Sequence, residues 1–325
     1  MNSLPSEANI IIFIRHKQEF KIILQSFCIL VLILFFGCSK DASKIEQKSH
    51  STPNKISVIT TVFPEYEWVK SLAEGVDSVE VSTLLKKGTD FHNFEPSTPD
   101  LIAIQKADIF VYVGSQADFW VDDVLKKSIN KNQIAINLTQ FLNNYGKDEH
   151  IWLSVKYAKK SVQKIAESLI ALDLKNAERY RTNLKTYQEK LDSLQIQIEQ
   201  ISSVAKNKID LEPLFFCDRF PFKLLMKELN LAYYAPLDDG SNTGDTSFQN
   251  VSFLVQKAKE LKPKAIFVTE NSDFKLAKTV IHDAKLDETK IIALNSMQSL
   301  KNQKADGDYI NLMQDNLRKI RSVIE

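Results

Sequence analysis

Three observations predict an α/β protein of two lobes joined by one long helix. Short β-branched or apolar runs alternate with helix-like stretches in both halves of the chain. The middle carries an unbroken helical periodicity. With 325 residues, 44% of them hydrophobic, the chain is long enough for a core in each half. Strand–helix alternation of this kind predicts mostly parallel sheets flanked by helices, with ligands at the C-terminal edges of the strands and a cleft between the lobes.

The first segment stands apart from that core. Arg15, Lys17 and Lys21 precede the apolar run IILQSFCILVLILFFG, which ends immediately before Cys38. This is the charged and apolar pattern of an export signal over residues 1–37, too short and too poorly flanked for a permanent membrane span. The Gly37-Cys38 junction resembles the lipobox of bacterial lipoproteins, whose cysteine is lipidated, although Phe35 stands where that pattern has Leu. An uncleaved signal anchor is the alternative. Residues 38–54 are polar and read as a tether between a surface and the folded part.

KISVITTVFP, Lys55 to Pro64, reads as a strand stopped by proline. VEVSTLL, from Val79, is a second strand, ending just before Gly88. STPDLIAIQKAD opens a helix, with Thr98 as cap, Pro99 in the first turn and Asp100 facing the exposed amides. IFVYVG, from Ile109, and QIAINL, from Gln133, are buried strands separated by a helix-like stretch. Leu184, Tyr187, Leu191, Leu194, Ile198 and Ile201 then recur at steps of three and four, with no glycine or proline from 176 to 203. That predicts one helix of about 40 Å. Its stripe lasts under three heptads, which favours a strut between two lobes over a coiled-coil seam. Alternation resumes with EPLFFC (strand), FKLLMKELN (helix), SFLVQKAKELKP (helix), KAIFVTE (strand), DFKLAKTVIHDA (helix), KIIALN (strand) and the terminal helix YINLMQDNLRKIRSVI.

Charge and cysteine usage exclude several functions. Without residues 1–37 the chain keeps 39 basic and 39 acidic side chains, so no like-signed field favours nucleic acid, and none is expected as a partner. Cys28 lies in the export signal and Cys38 at its end, leaving Cys217 alone. A disulfide scaffold is excluded and a cysteine-ligated metal is not expected. No glycine-rich phosphate-binding pattern is present, so a nucleotide site has no support.

Five histidines remain to consider. His16 is in the export signal, His50 in the tether and His282 on a helix in VIHDAK, and all three read as incidental. His92, in GTDFHNFEP, and His150, in KDEHIWLS, each sit where a strand–helix unit opens, beside acids and bulky apolar residues. Such neighbours exclude water, orient an imidazole and raise its basicity as a ligand. Each alone also suits an ordinary half-buried histidine.

From Ile56 onward the chain resembles the extracytoplasmic metal-binding proteins of zinc and manganese ABC importers. TTVFPEYEWVKSLAEG is similar to that family's opening strand and helix. GTDFHNFEPSTPDLIAIQKADIFVYVG resembles its first metal motif, KDEHIWLSVKYAKK its second, and GDYINLMQDNL its C-terminal helix. The resemblance implies two similar α/β lobes joined by a rigid backbone helix. The corresponding boundaries are 55–173 for the first metal-binding lobe, 174–206 for the linking helix and 207–325 for the second lobe. It implies His92 and His150 as the first lobe's ligands to one Zn²⁺ or Mn²⁺, transported rather than used.

The second lobe departs from the family pattern. CDRFPFKLL stands where relatives carry a third histidine, and Leu294-Asn295-Ser296 where they carry an aspartate. Asp218 and Glu270 are therefore the expected oxygen ligands from that lobe. Asp90, Glu95, Asp148 and Asp245 are expected as supporting residues or alternative ligands. The implied function is capture of the cation in the interlobe cleft, without catalysis, for delivery to a membrane permease and its ATPase. A monomer is expected, anchored by lipid at Cys38 to the outward face of a bacterial membrane. The alternatives are a surface adhesin that keeps the metal for stability, or a metal-dependent hydrolase, for which no His-Glu-x-x-His motif is present.

Overall fold

A computed structural model describes residues 55–86, 88–141, 149–236, 248–299 and 307–325. The export segment, Cys38, the tether, Asp148 and Asp245 lie outside the described residues.

The first lobe is a parallel sheet of β1 (Ile56–Thr60), β2 (Val79–Thr83), β3 (Ile109–Tyr112) and β4 (Ile134–Asn137), in the order β2-β1-β3-β4. The second contains β5 (Leu214–Phe216), β6 (Tyr233–Tyr234), β7 (Ala265–Thr269) and β8 (Lys290–Leu294), in the order β6-β5-β7-β8. The two sheets thus share one topology, as two similar lobes require. The inner strands read as continuous apolar runs because both faces are covered: every residue of β3 and of β5 is buried. In each sheet the order reverses between the first and third strands, and such a point leaves an open crevice at the strands' C-terminal ends.

The helices are α1 (Phe63–Leu72), α2 (Thr98–Lys106), α3 (Val121–Lys126), α4 (Val155–Leu172), α5 (Ala177–Asn207), α6 (Lys223–Leu229), α7 (Phe248–Leu261), α8 (Lys275–Ala284) and α9 (Tyr309–Ile324). Several boundaries differ from the sequence reading; α7, for example, begins at Phe248, four residues before Ser252. Strand β1 ends at Thr60, and Pro64 does not stop it but occupies the first turn of α1, where a missing amide hydrogen costs nothing. The cap of α2 is Ser97, not Thr98. Ser97 and Asp100 exchange hydrogen bonds as a capping box, with Ser97 N donating to Asp100 Oδ2 at 2.9 Å. The two-residue strand β6 has no counterpart in that reading, because only its ladder to β5 makes it a strand.

Helix α5 spans 31 residues, about 46 Å at the usual rise per residue. Its buried stripe of Tyr187, Leu191, Leu194, Ile198 and Ile201 matches the 3–4 spacing. The helix packs on α1 and α4 from the first lobe and on α6 and α9 from the second, so the stripe is satisfied within the chain. One apolar cluster runs from the first sheet through α5 into the second lobe, and a smaller one packs β5 and β7 against α7 and α8. Cys217 is a free thiol in that smaller cluster. No helix among the described residues is long and apolar enough to cross a membrane.

If the stripe holds the lobes together, position along the helix decides the cost of truncation. Leu194→Ala, at a site with no exposure, is expected to destabilise the protein by about 2–5 kcal/mol. Ile196→Ala, two residues on and 55% exposed, should change stability by about 0.5 kcal/mol or less. Denaturant midpoints of the two variants check this.

Candidate metal centre

Beyond β2 the chain stays beside β1: Leu84 N donates to Thr60 O at 2.8 Å and Leu85 N to Thr61 O at 3.1 Å. Gly88 then turns the chain with φ +74°, a conformation that favours glycine. The turn delivers a 3-10 segment, Phe91–Asn93, capped by Asp90, whose Oδ1 accepts His92 N at 3.0 Å. Phe91 is buried and packs edge-on against Trp152, with ring centroids 6.0 Å apart. His92 is therefore held by a buried neighbour on one side and a capped turn on the other.

His150 arrives at the start of a second 3-10 segment, Ile151–Leu153, all of it buried, which leads into α4 capped by Ser154. The His150 ring lies 5.3 Å from the Trp152 ring, and the indole Nε1 donates to Ser296 O of the other lobe at 2.8 Å.

The fold brings His92 and His150 together across 58 residues of sequence, with ring centroids 5.3 Å apart. Glu149 joins them. Each of the three offers one donor atom within 4.8 Å of the others, a spacing that fits one metal ion. Glu149 Oε1 lies 2.9 Å from His92 Nδ1, at ion-pair distance though off the angle of a hydrogen bond. That nitrogen is thereby occupied and Nε2 is the one left to bind, the usual arrangement of a carboxylate behind a metal-binding imidazole. From the second lobe, the Gln298 amide nitrogen stands 3.1 Å from His150 Nε2. An open pocket of about 550 Å³ beside His92 is lined by Phe94, Glu95, Ala117 and Phe119, among others.

The other candidates stand differently. Asp90 holds the turn of His92 and pairs with Arg219 of the second lobe. Glu95 lines the pocket. Asp218 and Glu270 both emerge at the switch point of the second sheet, at the ends of β5 and β7, but neither belongs to the three-residue cluster. Asp218 Oδ2 accepts the Thr269 hydroxyl at 2.5 Å and its amide at 3.2 Å, and Oδ1 accepts Arg219 N at 2.8 Å. Glu270 accepts Ser296 N at 2.9 Å and Ser296 Oγ at 2.8 Å.

Sequence reasoning weighed Asp148 and passed over Glu149, although both precede His150 in KDEH. It also missed Gln298, which carries no charge and stands outside any ligand motif it considered.

Burial works against charge on Glu65, Asp118 and Glu270. It raises the Glu270 carboxyl above its ordinary range despite the Ser296 bonds, with the nearby Asp218 adding to the effect. It does the same to Glu65, wholly buried in the first turn of α1, whose Oε2 accepts Thr61 N at 2.7 Å while Oε1 makes no hydrogen bond. Glu149 is the exception. Burial would raise it too, but contact with His92, the nearby His150 and the Ser115 hydroxyl outweigh that and hold it below the ordinary value.

Comparison with known proteins follows the same outline. The family described as zinc-uptake complex component A, periplasmic, matches residues 58–323. The zinc-binding protein AdcA of Streptococcus pyogenes is 29% identical over 296 residues, which cover 82% of this chain and 56% of AdcA. The chain thus spans little more than half of that relative. The high-affinity zinc uptake system protein ZnuA of Bacillus subtilis is 26% identical over 310 residues, covering 89% of this chain and 93% of ZnuA. Among solved structures, the Zn(II)-bound ZnuA-like domain of Streptococcus pneumoniae AdcA superposes with TM-score 0.67 at 29% identity, over 83% of this chain and 99% of that one.

Asp118 gives a ligand-free signature of this environment. Burial pushes its carboxyl up from 3.8 to about 6, against the bonds it accepts from the Gly114, Ser115 and Val113 amides; the charge of Glu149 adds to the rise. The folded state therefore holds this proton more tightly than the unfolded chain does. Its contribution is fully present below about pH 4, falls as pH rises, and is lost above about pH 6, a total of roughly 3 kcal/mol. Unfolding measured across pH 4–7 should show the wild type losing about that much relative to Asp118→Asn. A difference that stays flat with pH would mean the three amides keep Asp118 ionised throughout.

Proposed function

Because the chain belongs to the periplasmic zinc-uptake complex component A family, we propose that it captures a divalent transition metal, zinc first, for delivery to the permease and ATPase of an ABC importer. The observation that carries this reading is the meeting of His92 and His150, 58 residues apart in sequence, with the Glu149 carboxylate beside them. Two imidazoles and oxygen donors suit Zn²⁺, and the general affinity order of divalent ions puts Zn²⁺ above Mn²⁺ at such a site. The relatives named zinc-binding and zinc-uptake proteins support the same cargo.

In this reading His92 binds through Nε2, with Glu149 orienting the ring and raising its basicity, and His150 binds once the Gln298 amide, 3.1 Å from its Nε2, gives way. The second lobe closes on the ion from the other side. Gln298 already faces His150 there, and Asp218 and Glu270 are the oxygen donors within the second lobe. Each acid also accepts hydrogen bonds, from Thr269 or from Ser296, that compete with the ion for its oxygens. The process is capture and release, with no bond made or broken in a substrate.

The remaining assignments belong to the same reading. Residues 1–37 direct export, and Cys38 carries lipid that keeps a monomer near its membrane partners. Residues 38–54 are the tether, 55–173 and 207–325 the lobes, and 174–206 the link between them.

Titration calorimetry of the full chain in detergent tests the site. Unmodified protein is expected to bind Zn²⁺ below micromolar and Mn²⁺ more weakly. His92→Ala and His150→Ala should each lose on the order of 100-fold in affinity, and Glu149→Gln roughly 10- to 100-fold. Equal affinity in all variants would place the site elsewhere.

A further inference from the structure

We propose that Arg219 and Asp90 form a latch between the lobes that sets how fast the bound cation leaves; this rests on the metal-capture reading above. Arg219 follows the inner strand β5 of the second lobe, and its guanidinium Nη1 pairs with Oδ2 of Asp90, 129 residues earlier in the first lobe. Asp90 divides its carboxylate between two tasks. Oδ2 takes the guanidinium, while Oδ1 accepts the backbone N–H of His92 at 3.0 Å and so shapes the turn that presents the ring.

On the other side, Arg219 is seated by Asp218, whose Oδ1 accepts the Arg219 backbone N–H at 2.8 Å. Asp218 Oδ2 is bound by Thr269 at the end of β7. One line of bonds thus runs from the C-terminal edge of the second sheet, through Asp218, Arg219 and Asp90, to the backbone of His92. Separation of the lobes at this edge would break it.

The location suits a latch better than a core tie. The Arg219 side chain is 49% exposed and that of Asp90 29%, so the pair sits where water and salt can reach it. A neutral tie stands beside it, Ser299 Oγ of the second lobe donating to Thr89 O at 2.9 Å. Breaking the ion pair therefore loosens closure without detaching the lobes at this edge. An interaction made only in the closed state slows escape and leaves the encounter nearly untouched, so its signature is in the dissociation rate.

The test mixes zinc-loaded full chain in detergent with excess chromogenic chelator and follows release by stopped flow. Asp90→Asn keeps an oxygen for the His92 amide while losing the charge, and Arg219→Gln removes the guanidinium. The latch predicts that both release Zn²⁺ about 2- to 5-fold faster, with the double variant no faster than either single one. It predicts that added salt speeds wild-type release and leaves the variants nearly unchanged. Arg219→Lys, which keeps a charge but loses the planar fork, should fall between. A simple field effect on the cation predicts opposite signs, with Asp90→Asn faster and Arg219→Gln slower, and that pattern would overturn the latch. Unchanged release rates in variants that still bind Zn²⁺ would sink the latch alone. Failure of the unmodified chain to bind Zn²⁺ would instead sink the capture reading and the latch with it.

Discussion

The indole N–H of Trp152 is the constraint on which the interlobe site depends. Its side chain has no exposure, and a buried donor without an acceptor costs about 1–3 kcal/mol. The acceptor is Ser296 O, 144 residues away in the second lobe. Tyr309, on α9, returns a bond to Trp152 O at 2.7 Å. The segment next to His150 is therefore satisfied on both its polar edges by the opposite lobe. Phe91 and His150 both pack on the Trp152 ring, so the two histidine loops take their orientation from one residue. Glu270 extends the chain of dependence by fixing Ser296 through its amide and hydroxyl. Two residues on, Gln298 faces His150, and its carbonyl accepts Phe63 N at 3.3 Å.

The electrostatics follow from how this contact region is buried. Desolvation penalises charge on Glu65, Asp118 and Glu270, each of which is raised. Glu149 is held low because two imidazoles face it. Negative charge is thus concentrated directly behind His92, where it adds most to the ring's basicity. A cation approaching these rings would meet imidazole nitrogens backed by an ionised carboxylate, with Asp118 and Glu270 held back from ionisation by burial. Such an arrangement favours one seat over diffuse attraction across the cleft.

The two lobes share a topology and use it differently. The first lobe's histidines lie on loops that follow its outer strands β2 and β4, long enough to reach each other over the sheet edge. In the second lobe Asp218 and Glu270 follow the inner strands β5 and β7, and their carboxylates are spent on neighbouring backbone and hydroxyl groups. The same strand order thus yields a donor pair in one lobe and a scaffold of satisfied acids in the other. Gly114 shows how closely the first crevice is packed: with φ +80°, a Cβ there would lie 1.9 Å from Asn137 Oδ1. That close approach brings the Gly114–Asp118 turn against β4.

Local sequence carried the parts of this protein that depend on near neighbours. The alternation of apolar strands with helices and the 3–4 stripe of α5 are read over a few residues and determined the fold class; the start of α2 was read the same way, one residue past its true cap at Ser97. The buried positions of α4 (Val155, Ala158, Val162, Ile165 and Leu169) recur at the same helical spacing, although only the helix's first residues, in KDEHIWLSVKYAKK, entered the reading, as part of a motif. The types and positions of His92 and His150 also stood in the sequence, each with an acid and an aromatic beside it. What it could not determine was which groups meet. Spacing says nothing about a contact over 58 residues, or about whether Glu149 or its neighbour turns inward. Gln298 is invisible to any search for charged or metal-binding side chains, and β6 exists only through its partner strand. Tertiary structure decided those points, because they follow from which loops and strands the fold brings side by side, and from a shared indole, rather than from any local preference of the chain.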